Sequence, residues 1–154
     1  MSSTPTGHKP IRTALVSVYR KEGLAPLCEA LGKGGVQLFS TGGTATYLRE
    51  LGLQVTEIAD VSGYPSILGG RVKTLHPAVF GGILARQDLA QDQQDLAAHQ
   101  LPTFDLVVAD LYPFEETVAS TQDAAAIIEK IDIGGVSLLR AAGKNHAHVA
   151  VVAG

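Results

Sequence analysis

Leu106-Val107-Val108-Ala109-Asp110-Leu111 is the stretch on which the fold turns. Its first four residues are apolar and lack the in-and-out alternation of a half-exposed strand. They read as a strand buried on both faces, ended by Tyr112-Pro113. Working outward, residues 13–19 (TALVSVY) form a first strand, and a helix over 24–31 stops at Gly32 to Gly35. Residues 36–39 form a second strand, cut off by Ser40-Thr41-Gly42-Gly43-Thr44. The helix after it faces a core with Ala45, Leu48 and Leu51 and stops at Gly52. Residues 55–58 form a weaker third strand. Downstream, 123–130 is helical, Gly134-Gly135 interrupts, 136–144 resumes the helix and 149–153 (VAVVA) closes as a last strand. Residues 88–100 read as a polar helix with Leu89 and Leu96 as its apolar contacts. Continuously apolar strands alternating with helices specify a three-layer α/β fold, a mainly parallel sheet flanked by helices.

Composition narrows the function classes. Of 154 residues 45% are apolar and 18% charged, values that exclude a disordered or low-complexity chain. Twelve basic against fifteen acidic side chains give a net charge of −3 with no basic stripe, so no nucleic-acid partner is expected. No apolar stretch approaches the roughly 18 residues of a membrane span, so no membrane partner is expected either. One cysteine, Cys28, points to a reducing compartment, and the expected location is the cytoplasm. Residues 1–10 read as a flexible polar tail without the apolar core of a signal peptide, and 11–154 as one domain. Seventeen residues are glycine, and ten of them form five pairs, at 34–35, 42–43, 69–70, 81–82 and 134–135.

In open parallel sheets ligands sit beyond the carboxyl ends of the strands. Ser40 to Thr44 joins a strand to a helix start there, so hydroxyls, free backbone amides and a positive helix end together form an anion cradle. The alternative is a plain Ser/Thr N-cap with a glycine turn. Ser17 and Lys21 on the neighbouring loop add a donor and a charge. Residues 60–77 are dense in glycine and proline and read as a long irregular loop. Within it Arg71 and Lys73 face one way if extended, into one cleft or into solvent. Asp132, between two isoleucines, is an acid–base candidate or an N-cap, and Lys144 a second cation or a helix-end charge. Tyr112 is a site phenol or a core-edge aromatic. The carboxylate, two lysines, arginine and tyrosine at one sheet edge suggest an acid–base site. His146 and His148 lack a third ligand, so no metal is expected, and Cys28 sits among apolar helix residues as a core thiol. No Gly-x-Ser-x-Gly elbow supports a hydrolase triad.

STGGT (40–44), GRVKTLHP (70–77), GGILAR (81–86), DLYPFEETVA (110–119), IDIGG (131–135) and LRAAGKN (139–145) together resemble the IMP cyclohydrolase domain of bifunctional AICAR transformylase/IMP cyclohydrolases. The resemblance runs from about residue 11 to the end. It implies the methylglyoxal-synthase-like fold and a purine nucleotide substrate. The implied reaction closes 5-formamidoimidazole-4-carboxamide ribonucleotide to IMP with loss of water, without a cofactor. It also implies roles. Asp132 takes the carboxamide proton, Lys144 orients or re-protonates, and Lys73 and Tyr112 stabilise the oxyanion. Ser17, Lys21, Ser40, Thr41, Gly42, Gly43 and Thr44 grip the 5′-phosphate. Arg71, Thr74, Asp110, Ile133 and Gly134 contact base and ribose. The chain departs from the family at Tyr19-Arg20, where the loop usually reads SVSDK, at Asp110, where asparagine is common, and at Phe80, a frequent histidine position. The transformylase domain is not in this sequence, so no formyl transfer is expected, and monomer or homodimer is left open. The alternative function is a regulatory nucleotide-binding module of the same fold without catalysis. A methylglyoxal-synthase-like lyase is a further rival.

Overall fold

The structure, a computed structural model, describes residues 7–154. Five strands form one all-parallel sheet: β1 (Thr13–Ser17), β2 (Gln37–Ser40), β3 (Val55–Glu57), β4 (Leu106–Ala109) and β5 (Ala150–Ala153), in the order β3-β2-β1-β4-β5. The chain therefore winds outward from β1 to β3, then jumps back to lay β4 against the other side of β1. That reversal is a topological switch point, and the crevice beyond the carboxyl ends of β1 and β4 is where such sheets bind ligands. Register aligns those ends, with Val16 opposite both Ser40 and Val108 and Ser17 opposite Ala109.

Strand alternation builds two cores rather than one. Ala14, Val16, Leu38, Leu106 and Val108 point to one face, where α1 (Leu24–Lys33) and α2 (Gly42–Glu50) bring Leu24, Cys28 and Leu48 against them. Leu15, Phe39, Val107 and Ala109 point to the other. There α3 (Ile58–Ser62), α4 (Pro77–Leu84) and α8 (Gly134–Lys144) supply Ile58, Val79, Ile83, Leu138 and Ala142. The expectation of strands buried on both faces holds for β1 and β4. It fails for β5, whose four apolar residues are all exposed because it is the edge strand. A single helix spans α5 (Ala90–Ala98), which buries no residue, as its polar composition indicates.

The structure corrects three boundaries. Residues 77–84, not assigned to any element from sequence, form α4. Its glycine pair breaks nothing, because Gly82 packs its backbone directly onto the 102–104 segment: an added Cβ would lie 2.8 Å from the Phe104 ring. Residues 114–120 form α6 (Phe114–Ser120), ahead of α7 (Ala124–Glu129). Gly134-Gly135 begins α8 instead of interrupting a helix. The loop expected over 60–77 starts inside α3. It is then held in shape by a two-way bridge, Val72 accepting from Ile67 N–H at 3.1 Å and Ile67 from Val72 N–H at 3.4 Å, around a 3-10 turn at Leu68–Gly70. Of the expected tail, residues 1–6 lie outside the described residues. Lys9 donates to His148 O and pairs with the largely buried Asp105 at 2.7 Å.

Candidate active site

At the carboxyl edge lies a cavity of about 710 Å³. Thirteen of the sixteen residues singled out from sequence line it: Ser17, Lys21, Thr41, Gly43, Thr44, Arg71, Lys73, Thr74, Asp110, Tyr112, Asp132, Ile133 and Gly134. Ser40, Gly42 and Lys144 do not.

One part of the wall is cationic. Helix α2 starts at Gly42, and Thr41 before it makes no side-chain cap, so the plain N-cap alternative is not realised. The amides of the first turn have no intrahelical acceptor and are left for a ligand. The hydroxyls beside them are engaged elsewhere. Ser40 Oγ is fully buried and donates to Val16 O at 2.6 Å, and Thr44 Oγ1 donates to Val18 O at 2.9 Å. Both tie the β2–α2 turn to β1. Ser40 thus clips the turn to β1 through its hydroxyl and is not among the residues that line the cavity. Gly42, with φ of +58°, faces Lys73 instead: a Cβ there would stand 3.4 Å from Lys73 Nζ. Lys21 Nζ donates to Val18 O at 2.6 Å and Tyr19 O at 3.2 Å. Burial lowers the Lys21 pKa, Asp110 and Glu22 oppose that shift, and the nearby Lys73 charge adds to it. Two lysines close enough to repel stand beside these unsatisfied amides, an arrangement whose charge and donors suit a doubly charged anion.

A second part of the wall carries the carboxylate. Asp132 Oδ2 accepts the Tyr112 N–H at 3.1 Å and Oδ1 accepts the Val136 N–H at 3.1 Å. It therefore bridges the end of β4 to the first turn of α8. Gly135 makes this approach possible: a Cβ there would lie 2.7 Å from Asp110 O and 2.9 and 3.0 Å from the Asp132 carboxylate oxygens. Thr74 is buried beside Gly134, with Oγ1 3.3 Å from where a Cβ would be.

Three side chains sit otherwise than expected. Lys144 is exposed in the last turn of α8, ten residues and so about 15 Å along the helix from Gly134. Its charge stands at the helix C-terminal dipole, outside the residues that line the cavity. Asp110 accepts the Tyr19 N–H at 2.5 Å and the Arg20 N–H at 2.9 Å, so its carboxylate pins the β1 loop. Arg71 pairs with Glu129 at the end of α7. Lys130 and Tyr19 line the cavity but escaped sequence reasoning. The usable signal was adjacency: Lys130 stands two residues before Asp132, and Tyr19 two before Lys21. Elsewhere, His148 pairs with Asp88 at 3.2 Å, and among the described residues no group of three His, Cys, Asp or Glu side chains could hold a metal. No helix among them is long and apolar enough to cross a membrane.

A five-stranded parallel sheet whose switch point opens onto an anion cradle and a fixed carboxylate defines a class. The chain belongs to the MGS-like domain family, whose model matches residues 23–137. It is 57% identical over 145 residues to the bifunctional purine biosynthesis protein PurH of Bacteroides thetaiotaomicron, covering 94% of this chain and 29% of that protein. To PurH of Dinoroseobacter shibae it is 54% identical over 143 residues, 93% of this chain and 27% of that protein. The chain thus spans less than a third of the length of these relatives. A solved structure titled "Crystal structure of ForH" superposes with a TM-score of 0.79 at 38% identity, over 92% of this chain and 71% of that one.

Proposed function

We propose that this domain acts in purine biosynthesis as an IMP cyclohydrolase. The carboxamide nitrogen of 5-formamidoimidazole-4-carboxamide ribonucleotide attacks the formyl carbon of the same molecule. The adduct then loses its oxygen as water to give IMP. The observation that carries the reading is Asp132, a half-buried carboxylate fixed at both oxygens on the wall of a cavity that also holds Lys21, Lys73 and the free first turn of α2. The names and identities of the PurH relatives support it.

Each group has a task in that chemistry. A carboxamide is a poor nucleophile, and Asp132 accepts its proton as the C–N bond forms. Charge collects on the former formyl oxygen. The Tyr112 hydroxyl and the Lys73 ammonium stabilise it and give it one proton. The proton taken up by Asp132 is the second, so the oxygen leaves as water, and the formamide N–H proton released as the C=N bond forms restores the acidic pair. Lys21, Thr41 and the Gly43 amide hold the 5′-phosphate, with Ser17 beside them, while Thr74, Ile133 and Gly134 face the base and ribose. Arg71 joins them on release from Glu129. Both reacting groups belong to one molecule, so holding the formamide in the reactive rotamer lowers the barrier further.

Ring closure is followed as IMP absorbance after mixing the protein with the formamido ribonucleotide. Wild-type protein turns over, and Asp132→Asn falls by about 10²-fold or more with nucleotide affinity retained. Lys73→Ala loses turnover and also raises KM, because its ammonium lies against Gly42. Tight nucleotide binding with no turnover in the wild type would refute catalysis and leave a regulatory nucleotide-binding module.

A further inference from the structure

Tyr19 and Lys130 are held in place although the cores do not require them. Tyr19 is 45% exposed and Tyr112 36% exposed, yet the two rings meet edge to face, centroids 5.6 Å apart and planes at 79°. Lys130 Nζ lies 4.8 Å from the Tyr19 centroid and 5.5 Å from the Tyr112 centroid, within cation–π range of both. The backbone beneath each ring is fixed by a carboxylate: Asp110 accepts from Tyr19 N–H, and Asp132 from Tyr112 N–H. Arg20 adds an ion pair to Glu116 on α6, which ties the same loop to the helix that follows Tyr112. All three clustered side chains line the cavity. Among the described residues nothing hydrogen-bonds the Tyr112 hydroxyl. Its ring is therefore oriented only by what packs on it.

We propose that Tyr19 and Lys130 are positioning residues for Tyr112, clamping its ring so that its hydroxyl is presented to bound substrate. The proposal rests on the ring-closure reading above. It also accounts for two departures from the family pattern together. Tyr19 supplies the ring edge, and Asp110, unlike an asparagine, offers two acceptor oxygens for the two amides that hold Tyr19 and Arg20.

The chain has no tryptophan and four tyrosines, so the near-ultraviolet circular dichroism of the intact protein reports on tyrosine packing. Lys130→Met removes no chromophore. It should weaken the tyrosine band and lower kcat about three- to tenfold, with KM within about twofold of wild type. Lys130→Arg should restore most of both, since a guanidinium also packs on aromatic faces. Tyr19→Ser should lower kcat to the same extent, Tyr19→Phe should restore it, and the double variant Tyr19→Ser with Lys130→Met should be no worse than either alone. Wild-type kcat and an unchanged band in Lys130→Met would overturn the proposal. So would a rise in KM alone, which would make Lys130 a direct substrate contact. If the wild-type protein shows no ring closure, the functional reading fails while the band still decides the clamp: a weaker band in Lys130→Met supports it and an unchanged one overturns it.

Discussion

Gly135→Ala is the substitution whose outcome the geometry fixes most tightly. By helix propensity alone it should help, because alanine inside a helix is favoured over glycine by about 1 kcal/mol. Gly143, near the other end of the same helix, provides the comparison: nothing lies within 4 Å of a Cβ there, so Gly143→Ala should stabilise the protein by roughly 0.5–1 kcal/mol. At Gly135 the added methyl meets Asp110 O at 2.7 Å and both Asp132 oxygens at 2.9 and 3.0 Å. The carbonyl directly follows β4 and cannot retreat, so the first turn of α8 must shift from it and the Asp132 carboxylate must move too. It then gives up one or both of its hydrogen bonds from Tyr112 and Val136 N–H, each worth about 1.5–3 kcal/mol as a bond to a charged group. Set against the propensity gain, the net effect is a loss of about 0.5–2 kcal/mol from one broken bond. A carboxylate displaced by a sizeable fraction of an ångström should cost turnover about 10²-fold. Urea unfolding and the IMP absorbance assay on the two variants test this side by side. Gly135→Ala more stable than wild type, with unchanged turnover, would refute the reasoning.

Two further outcomes follow from the charges and burial. On the proposed phosphate contact, binding of a nucleoside monophosphate needs Lys21 protonated, and burial lowers its pKa, so the dissociation constant of IMP should rise on the alkaline side at a lower pH than an ordinary lysine, near about 10.4, would set. Lys21→Arg should flatten that limb because a guanidinium stays charged, and superimposable profiles for the two proteins would exclude Lys21 as the titrating group. Burial pushes the Cys28 thiol up to about 11, and its side chain is fully enclosed. An aromatic disulfide reagent should therefore label it in urea but not in native protein, and prompt stoichiometric labelling of the native form would contradict the packing.

The sheet was legible because its central strands obey a simple rule. Residues 106–109 and 13–17 carry no polar side chain that must reach water except at their ends, and only a strand covered on both faces tolerates that. The same rule misreads β5, since VAVVA looks alike whether a helix covers it or it forms the sheet edge. Helix α4 was not legible for a related reason. PAVFGGIL is apolar around most of its circumference and carries a glycine pair, which reads as a breaker until Gly82 is seen against Phe104. Helix α6 buries nothing and so leaves no periodic trace.

Within the site, sequence located the residues better than it assigned their work. Hydroxyls beside a glycine turn suggest ligand contacts, but Ser40 and Thr44 spend theirs on carbonyls of the neighbouring strand and loop, a tertiary fact no local pattern contains. Lys144 is different. The helix rise alone places a residue ten positions past Gly134 about 15 Å away, so its distance from the start of α8 was legible in the sequence. Lys130 was hidden, because a lone lysine at a helix end looks like any solvated charge until two aromatic rings are found around it.

Asp132 carries the most instructive ambiguity, since sequence offered capping and catalysis as rivals. On the proposed ring closure, one is the condition of the other. A carboxylate has about four acceptor positions, and the Tyr112 and Val136 amides occupy two. The remaining two are free to accept a substrate proton, while the occupied pair fixes where they point. A base held this way needs no reorganisation as the C–N bond forms, which is the advantage of a preorganised site over a mobile side chain. The requirement then passes outward along the chain. Asp132 can sit there only if residue 135 has no side chain, and it can anchor Tyr112 only because Tyr112 stands three residues past the end of the buried strand β4. The glycine pair and the strand end are therefore parts of one device, and IDIGG is as much a packing constraint on Asp132 and β4 as it is a ligand loop.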